Sequence, residues 1–148
     1  IDNNLDELFD VINQVDILLI NDEEVRDLTG IDDINQAGLS LLKKGLKYVI
    51  IKKGGAGSLI ISNNDNIIIP AIPDIDVFDP TGAGDSFAGG FLGYIASNKS
   101  FNIVDAVLYG TAIASYTVSG FGIEEIEKIK LHNIKNRIKL LNDLIKEI

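Results

Sequence analysis

Residues 79–90 read DPTGAGDSFAGG, a turn of proline, aspartate and glycine that leads directly into a helix. The helix is indicated by Phe87, Phe91 and Ile95, which follow in steps of four and so fall on one helical face. Small residues at the start of a helix let another molecule approach the backbone closely. This turn is therefore a candidate binding site.

The start of this helix has the chemistry of an anion site. Gly82, Ala83 and Gly84 leave consecutive backbone N–H groups uncovered, and the helix dipole adds partial positive charge there. Such a site can hold a phosphoryl group and stabilise charge on its oxygens. Asp85 follows in the first turn, where its carboxylate could act as a general base toward an attacking alcohol. On these residues alone, an aspartate that only complements the dipole and glycines that only make a tight turn explain the pattern equally well.

The chain before this turn alternates helices and strands. Periodicity and end signals indicate helices at residues 5–12, 22–29 and 35–46, and short isoleucine-rich runs indicate buried strands at 17–20 and 48–52. The glycines at 54, 55 and 57 separate the second strand from residues 58–61 by too few residues for a crossover helix, which predicts a hairpin. A further strand is predicted at residues 66–69.

Two more helices are predicted after the turn. Residues 103–118 are apolar on nearly every side, which is typical of a buried helix. Residues 124–148 are amphipathic, with Ile134, Ile138 and Leu141 on the inner side. The alternation of helices and strands predicts an α/β sandwich with a mainly parallel sheet, and the sheet is short of strands for that architecture.

Composition excludes several classes of function. The 148 residues carry 22 acidic and 13 basic side chains, a formal net charge of −9, which is the wrong sign for a nucleic-acid partner. The absence of cysteine excludes disulfides, thiol catalysis and cysteine-ligated zinc. No apolar run reaches the about 18 residues of a membrane helix, so we expect a cytoplasmic protein with no membrane partner. Because the chain begins with Ile1 and contains no methionine, we expect a piece of a longer protein.

Residues 79–90 resemble the C-terminal signature of the PfkB family of carbohydrate kinases, also called the ribokinase-like family. The resemblance implies a three-layer α/β sandwich in which residues 1–148 are the C-terminal part of the kinase domain. It implies transfer of the γ-phosphoryl group of ATP to a sugar hydroxyl, with Asp85 as the catalytic base. Gly82, Ala83 and Gly84 would hold the phosphoryl oxygens.

Residues 21–24, which read NDEE, are similar to the Asn-x-x-Glu motif of that family. The likeness implies that Asn21 and Glu24 help to place Mg²⁺ and the triphosphate. Mg²⁺ prefers oxygen ligands and keeps several waters, so Glu24 could act through the hydration shell. Asn followed three residues later by Glu is also a helix capping box, and that alternative stays open.

Residues 52–57, which read KKGGAG, resemble the strand-to-turn segment that runs along the nucleotide in the family. Lys52, Gly54 and Gly57 are the candidate nucleotide contacts. Lys52 departs from the commoner pattern, which has threonine there, and it would either pair with a phosphate or point into solvent. The glycines would alternatively serve only the hairpin.

The remaining expectations concern ions, solvent and partners. The resemblance makes Asp79 and Thr81 candidates for a monovalent cation such as K⁺, and it places Tyr109 and residues 115–122 beside the adenine. His132 and the basic residues of the last helix look like a solvated face. These residues are Lys128, Lys130, Lys135, Arg137 and Lys139.

The acceptor stays open at this stage. A sugar is the first expectation, a nucleoside is the alternative, and a non-catalytic nucleotide-binding fragment or interaction module is a hypothesis from another class. The family residues that contact the sugar lie in an N-terminal part that these 148 residues do not contain. An uncovered edge of the sheet would allow a homo-oligomer.

Overall fold

The computed structural model describes residues 5–147, with side chains up to residue 145. The chain divides into two compact units, one of residues 5–68 with 146–147 and one of residues 69–145. In the described residues, no helix is both long and apolar enough to cross a lipid bilayer.

The first unit contains three helices and the strands of one sheet. The helices are α1 (Leu5–Ile12), α2 (Asp22–Thr29) and α3 (Ile34–Leu42). The strands are β1 (Ile17–Asn21), β2 (Tyr48–Lys52), β3 (Ser58–Ser62), β4 (Asn66–Ile69) and β5 (Lys146–Glu147). Helix α3 ends at Leu42, earlier than the residue 46 expected from its leucines, and the chain then turns through Gly45, whose φ is +106°.

The sheet has the strand order β1-β2-β3-β4-β5. Strand β1 runs parallel to β2, with Asn21 beside Lys52, whereas β2 and β3 are antiparallel, with Lys52 opposite Ser58. Strands β4 and β5 are also antiparallel. The α/β class is confirmed, but these pairs make the described sheet mixed where a mainly parallel one was expected. The reason is the short glycine turn at residues 54–57, which closes the hairpin that the sequence predicted.

Helices α2 and α3 cover one face of this sheet. Ile20, Ile51 and Leu59 belong to one buried cluster with side chains from α2 and α3. Gly38 of α3 lies against the strands so closely that a Cβ there would come within 2.1 Å of Ile61 Cδ1. This face of the sheet is therefore the hydrophobic core of the first unit.

The second unit is helical. Its elements are α4 (Ala83–Ser97), α5 (Ile103–Thr117), α6 (Glu124–Lys128) and α7 (Leu131–Asn142). Helices α4 and α5 cross closely, because a Cβ on Gly90 would lie 3.0 Å from the Tyr109 carbonyl oxygen. A Cβ on Gly110 would lie 2.8 Å from that of Phe87. The backbone of α4 is thus held directly against α5.

The prediction of one amphipathic helix over residues 124–148 is wrong. Ile129 is extended, with ψ of 150°, and it separates α6 from α7. The side chain of Asn133 then accepts a hydrogen bond from the backbone N–H of Lys130 at 2.9 Å, which satisfies a donor at the start of α7. Leu141 is buried as expected, but the chain leaves the helix after Asn142.

Candidate functional site

The turn before α4 is tied to the end of α5 by backbone hydrogen bonds. The N–H groups of Phe78 and Asp79 both donate to the carbonyl oxygen of Val118, at 2.7 and 3.3 Å. Because this carbonyl follows the last residue of α5, the chain enters the turn from a fixed point. The position of the turn is therefore set by two helices of the same unit.

Asp79 shapes the next step of the turn. Its Oδ1 accepts a hydrogen bond from the backbone N–H of Thr81 at 2.9 Å. The hydrogen bonds that Thr81 donates lower the pKa of the Asp79 carboxyl below its usual value, since they favour the charged form. Gly82 then adopts the left-handed conformation, with φ of +79°, which a residue without a Cβ reaches at little cost. Asp79 and Thr81, the candidate cation residues, are thus brought together in one turn.

Helix α4 begins without a side-chain cap. The N–H of Ala83 donates to the Pro80 carbonyl oxygen at 3.1 Å, and that of Ser86 donates to the Gly82 carbonyl oxygen at 2.9 Å. The N–H groups of Gly82, Gly84 and Asp85 find no acceptor in the described part of the chain. The open donors therefore differ by one residue from the expected set. The backbone N–H of Ala83 is used within the turn, and the backbone N–H of Asp85 is open in its place.

The Asp85 side chain lies in the first turn of α4 and is exposed to solvent. Among residues 5–147 it makes no hydrogen bond and no ion pair. No side chain of the described residues caps the open donors. Backbone donors and a free carboxylate at one helix start can bind an anion and accept a proton.

In the first unit, Asn21 and Glu24 form the capping box of α2. The backbone N–H of Glu24 donates to Asn21 Oδ1 at 2.7 Å, and the backbone N–H of Asn21 donates to Glu24 Oε2 at 2.9 Å. The structural alternative raised by the sequence is thus present in the fold. Glu24 Oε1 has no hydrogen-bond partner in the described residues, so a second role of this carboxylate is compatible with the cap.

The carboxylates of the described residues can be compared with the ligands that Mg²⁺ prefers. The described residues contain no group of three or more acidic, histidine or cysteine side chains that could hold a metal. Mg²⁺ is commonly bound by one or two carboxylates, several waters and the phosphates of a substrate. Glu24, with one oxygen open, fits that mode through a water molecule.

The glycine turn after β2 has a clear local role. The N–H of Lys53 donates to the Gly57 carbonyl oxygen at 2.7 Å, and the N–H of Gly57 donates to that of Gly54 at 3.0 Å. Gly54 and Gly57 have φ of +53° and +83°, which favours glycine at both positions. The hairpin accounts for both glycines, and the parallel register brings Lys52 beside Asn21.

Arg137 is the residue whose environment the sequence analysis missed. It was assigned to a solvated face, but it is half-buried, with Cζ 3.3 Å from the centre of the Tyr116 ring and a hydrogen bond to Ser115 Oγ. Burial lowers the pKa of its guanidinium. The sequence contains a sign of this burial, because Arg137 lies three residues after Ile134 and four before Leu141, on the apolar side of the helix. His132 and the other basic residues of this segment are exposed, as expected.

Tyr109, expected beside the adenine, packs within the second unit. Its ring stacks on that of Tyr94 with the centres 4.9 Å apart. The hydroxyl of Tyr94 donates to Asp105 Oδ2 at 3.2 Å, and burial is the main reason that the pKa of Tyr94 is raised. Tyr109 is half-buried, so part of its surface stays open to solvent.

The fold is that of the ribokinase-like kinases. It is similar to aminoimidazole riboside kinase from Salmonella enterica, solved with aminoimidazole riboside and an ATP analog, with a TM-score of 0.77 and 25% identity. The match covers 92% of this chain and 48% of that one. A family model described as pfkB family carbohydrate kinase matches residues 2–129. The chain belongs to the PfkB family, and the resemblance noted in the sequence is confirmed.

Curated relatives agree with this assignment. The chain is 32% identical over 120 residues to the bifunctional ribokinase/ribose-5-phosphate isomerase A of Fructilactobacillus sanfranciscensis, covering 78% of this chain and 22% of the relative. It is 38% identical over 89 residues to the cytidine kinase of Thermococcus kodakarensis, covering 59% of this chain and 32% of the relative. The chain thus spans a third or less of the length of these two relatives.

Proposed function

We propose that the protein transfers the γ-phosphoryl group of ATP to a hydroxyl group of a sugar. The observation that carries the proposal is the start of α4, where Gly82, Gly84 and Asp85 keep their N–H donors open beside an unpaired carboxylate. Membership of a carbohydrate kinase family supports phosphoryl transfer. The proposal assigns residues 1–148 to the C-terminal part of a ribokinase-like kinase domain that works in the cytoplasm, where ATP is available.

Asp85 is the proposed catalytic base. Its carboxylate takes the proton of the attacking hydroxyl, the oxygen of that hydroxyl forms a bond to the γ-phosphorus, and the bond from that phosphorus to the leaving oxygen of ADP breaks. The open N–H groups stabilise the charge on the equatorial oxygens of the transferred group. Ala83, whose N–H is used by the turn, contributes its small size at the helix start.

The first unit supplies the proposed nucleotide contacts, Asn21, Glu24, Lys52, Gly54 and Gly57. Glu24 would hold Mg²⁺ through a water molecule while its other oxygen keeps the helix cap. When bound, the metal would neutralise part of the negative charge on the phosphates. In the second unit, Asp79 and Thr81 would hold a monovalent cation such as K⁺, and the lowered pKa of Asp79 keeps its carboxylate charged for that role.

The test is a phosphoryl-transfer assay on the full-length protein that contains this sequence, with ATP, Mg²⁺ and a panel of sugars and nucleosides. We expect Asp85→Asn to lower kcat by about a hundredfold to ten-thousandfold, because a positioned base contributes about that much. The matched control is Asp76→Asn, which makes the same change at an exposed residue of the loop before the turn. Unchanged turnover in Asp85→Asn would refute the assigned base.

A nucleoside acceptor is the second candidate. It is favoured by the 38% identity over 89 residues to a cytidine kinase. The same assay separates the two candidates. A sugar kinase would have a higher kcat/KM for ribose or fructose than for cytidine, and a nucleoside kinase would have a higher kcat/KM for cytidine. Binding of ATP without turnover on any acceptor would instead support the non-catalytic hypothesis.

A further inference from the structure

The second unit has an exposed apolar surface around two phenylalanines. The rings of Phe78 and Phe121 meet edge to face with their centres 5.3 Å apart, although the two side chains are 67% and 61% exposed. Val77 and Ile123 flank this pair along the chain and are 64% and 62% exposed. In the part of the chain that the structure describes, no other large apolar side chain is more than 60% exposed. Exposed apolar side chains that cluster in this way indicate an interaction surface, and we call these four residues the aromatic patch.

The carboxylates near the aromatic patch define the charge of its partner. Four exposed acidic residues flank the two segments of the patch: Asp74, Asp76, Glu124 and Glu127. None of the four forms an ion pair with a described residue, whereas Glu125, next to them, pairs with Lys128 at 2.7 Å. Residues 54–98 and 100–127 contain no lysine, arginine or histidine. A complementary partner therefore combines apolar side chains with positive charge.

Helix α7 has the complementary chemistry. Residues 128–142 contain five lysines and arginines and no acidic residue. Leu131, Lys135 and Lys139 follow in steps of four and so lie along one side of α7. All three side chains are exposed, Leu131 by 56%, and neither lysine ammonium forms an ion pair or a hydrogen bond with a described residue. We call these three residues the basic face.

We propose that the aromatic patch of one molecule binds the basic face of a second copy of this chain. Leu131 packs against the exposed rings of the other copy, and the aliphatic parts of Lys135 and Lys139 extend that apolar contact. The lysine ammonium groups lie near the phenylalanine rings and the flanking carboxylates, both of which are favourable partners for a cation. Every molecule carries both surfaces, so two copies related by a two-fold axis can form this contact twice.

The overall charge of the chain does not prevent this association. The net charge of −9 repels two copies at long range, but salt screens exposed charges that are more than about 8 Å apart at physiological ionic strength. Charge pairs that the contact partly buries are screened much less. The uneven distribution of charge along the chain therefore favours the aromatic patch against the basic face. The association does not depend on the proposed phosphoryl transfer.

The experiment is sedimentation velocity of the full-length protein that contains this sequence, without nucleotide, from about 1 µM to about 1 mM, a range suited to a weak interface of small area. We expect association that increases with concentration. The patch variant is Phe121→Ser with Ile123→Ser, which leaves Phe78 and its backbone hydrogen bond unchanged. The face variant is Lys135→Glu with Lys139→Glu. Each variant should weaken self-association by about tenfold or more, because apolar anchors or opposite charges are lost at the contact.

Mixing the two variants is the decisive measurement. The patch variant keeps an intact basic face, and the face variant keeps an intact aromatic patch. An equimolar mixture should therefore form pairs of one molecule of each variant, although each variant alone is defective. Loss of association through misfolding would not be restored by mixing. A mixture that associates no better than the separate variants would overturn the proposal.

Matched controls make the same kinds of change away from both surfaces. Leu92→Ser removes an apolar side chain of α4 that is 58% exposed, and Lys43→Glu with Lys99→Glu reverses the charge of two exposed lysines. These controls should associate as the wild type does. If the control and test variants lose association equally, general hydrophobicity and net charge govern it, and the proposal fails. A wild type that stays monomeric at every concentration would also overturn it, and the aromatic patch would then belong to a basic partner of another kind.

Circular dichroism checks that each variant folds. Serine at position 123 precedes α6, where it is a preferred N-cap residue, so the patch variant is expected to keep its fold. If a variant is unfolded, the ¹⁵N spectrum of the wild-type protein at rising concentration replaces it, with shifts expected at the amides of Phe121 and Lys135. The absence of a shift at these two amides would contradict the proposal.

Discussion

Two helices of this chain begin in opposite ways. At the start of α2, the side chains of Asn21 and Glu24 satisfy backbone donors reciprocally. At the start of α4, no side chain caps the helix, and Gly82 holds a left-handed conformation that leaves donors open. A missing cap typically costs about 1 kcal/mol. Helix α2 therefore begins in a way that stabilises the fold, whereas α4 lacks that stabilisation and keeps its backbone donors available.

Among the variants that compare these two helix starts, the largest effect should come from placing a charge at the start of α4. Gly84→Asp adds a carboxylate in the first turn of α4, where an acidic residue stabilises a helix by about 0.3–1 kcal/mol. The same carboxylate repels a bound anion, so affinity for ATP or pyrophosphate should fall by at least about tenfold. Calorimetry and thermal unfolding of the same samples would show binding and stability moving in opposite directions.

Gly93→Asp is the control for that substitution. Gly93 lies further along α4 and is exposed, and a Cβ there meets nothing within 4 Å. Its aspartate should leave anion affinity unchanged. If Gly84→Asp and Gly93→Asp bind equally well, the open donors at the start of α4 are not an anion site, and the contrast with α2 loses its functional meaning.

Changes to the capping box of α2 should alter the stability of the fold. Asn21→Ala removes the cap and should lower the free energy of unfolding by about 1 kcal/mol, measured by urea denaturation. Glu24→Gln keeps a side-chain acceptor for the Asn21 N–H, so it should cost much less.

Glu24→Gln also separates the cap of α2 from the proposed magnesium role. If Glu24 holds the metal through water, this variant loses the part of ATP affinity that depends on Mg²⁺ while it stays folded. ATP affinity that rises equally with Mg²⁺ in the variant and in the wild type would leave Glu24 with a capping role alone.

The smallest effect concerns the pH dependence of stability that comes from Asp79, in the turn before α4. The pKa of Asp79 in the folded chain lies below the usual value of 3.8, because its carboxylate accepts hydrogen bonds from Thr81. Its contribution to stability is therefore present above the unfolded pKa and is lost as the pH falls through the folded one. Asp79→Asn removes this contribution, so it should lower stability slightly at pH 7, and the difference from the wild type should vanish as the pH falls well below 3.8, which flattens the acid side of the stability curve. Parallel acid unfolding curves for the two proteins would contradict this.

Much of the local structure was predictable because its signals are local. Strand β2 and helix α2 have the predicted bounds, since an isoleucine run, a cap at Asn21 and the terminating Gly30 lie within the segments themselves. The hairpin followed from the number of residues in the glycine turn. The split at Ile129 was not predictable in this way, because the apolar spacing continues through the break and only packing decides where the helix stops.

The candidate site shows the same division. The residue types at positions 79–90 were enough to predict a helix start with open donors and a nearby carboxylate. Which amides are open was decided by the turn, because Ala83 donates to Pro80 while Asp85 does not find an acceptor. Arg137 looked solvated as part of a run of basic residues, but the Tyr116 ring covers it.

Local sequence patterns were sufficient to predict most of the helices and strands, the family and the candidate reactive residues, because propensity, capping and turn chemistry act over a few neighbours. The structure was needed to show that Asn21, Lys52 and Ser58 share one face of the sheet, and that the Val118 carbonyl oxygen anchors the turn before α4. These arrangements depend on strand register and helix crossing. Both are set by contacts between residues far apart in the chain, which no local pattern records.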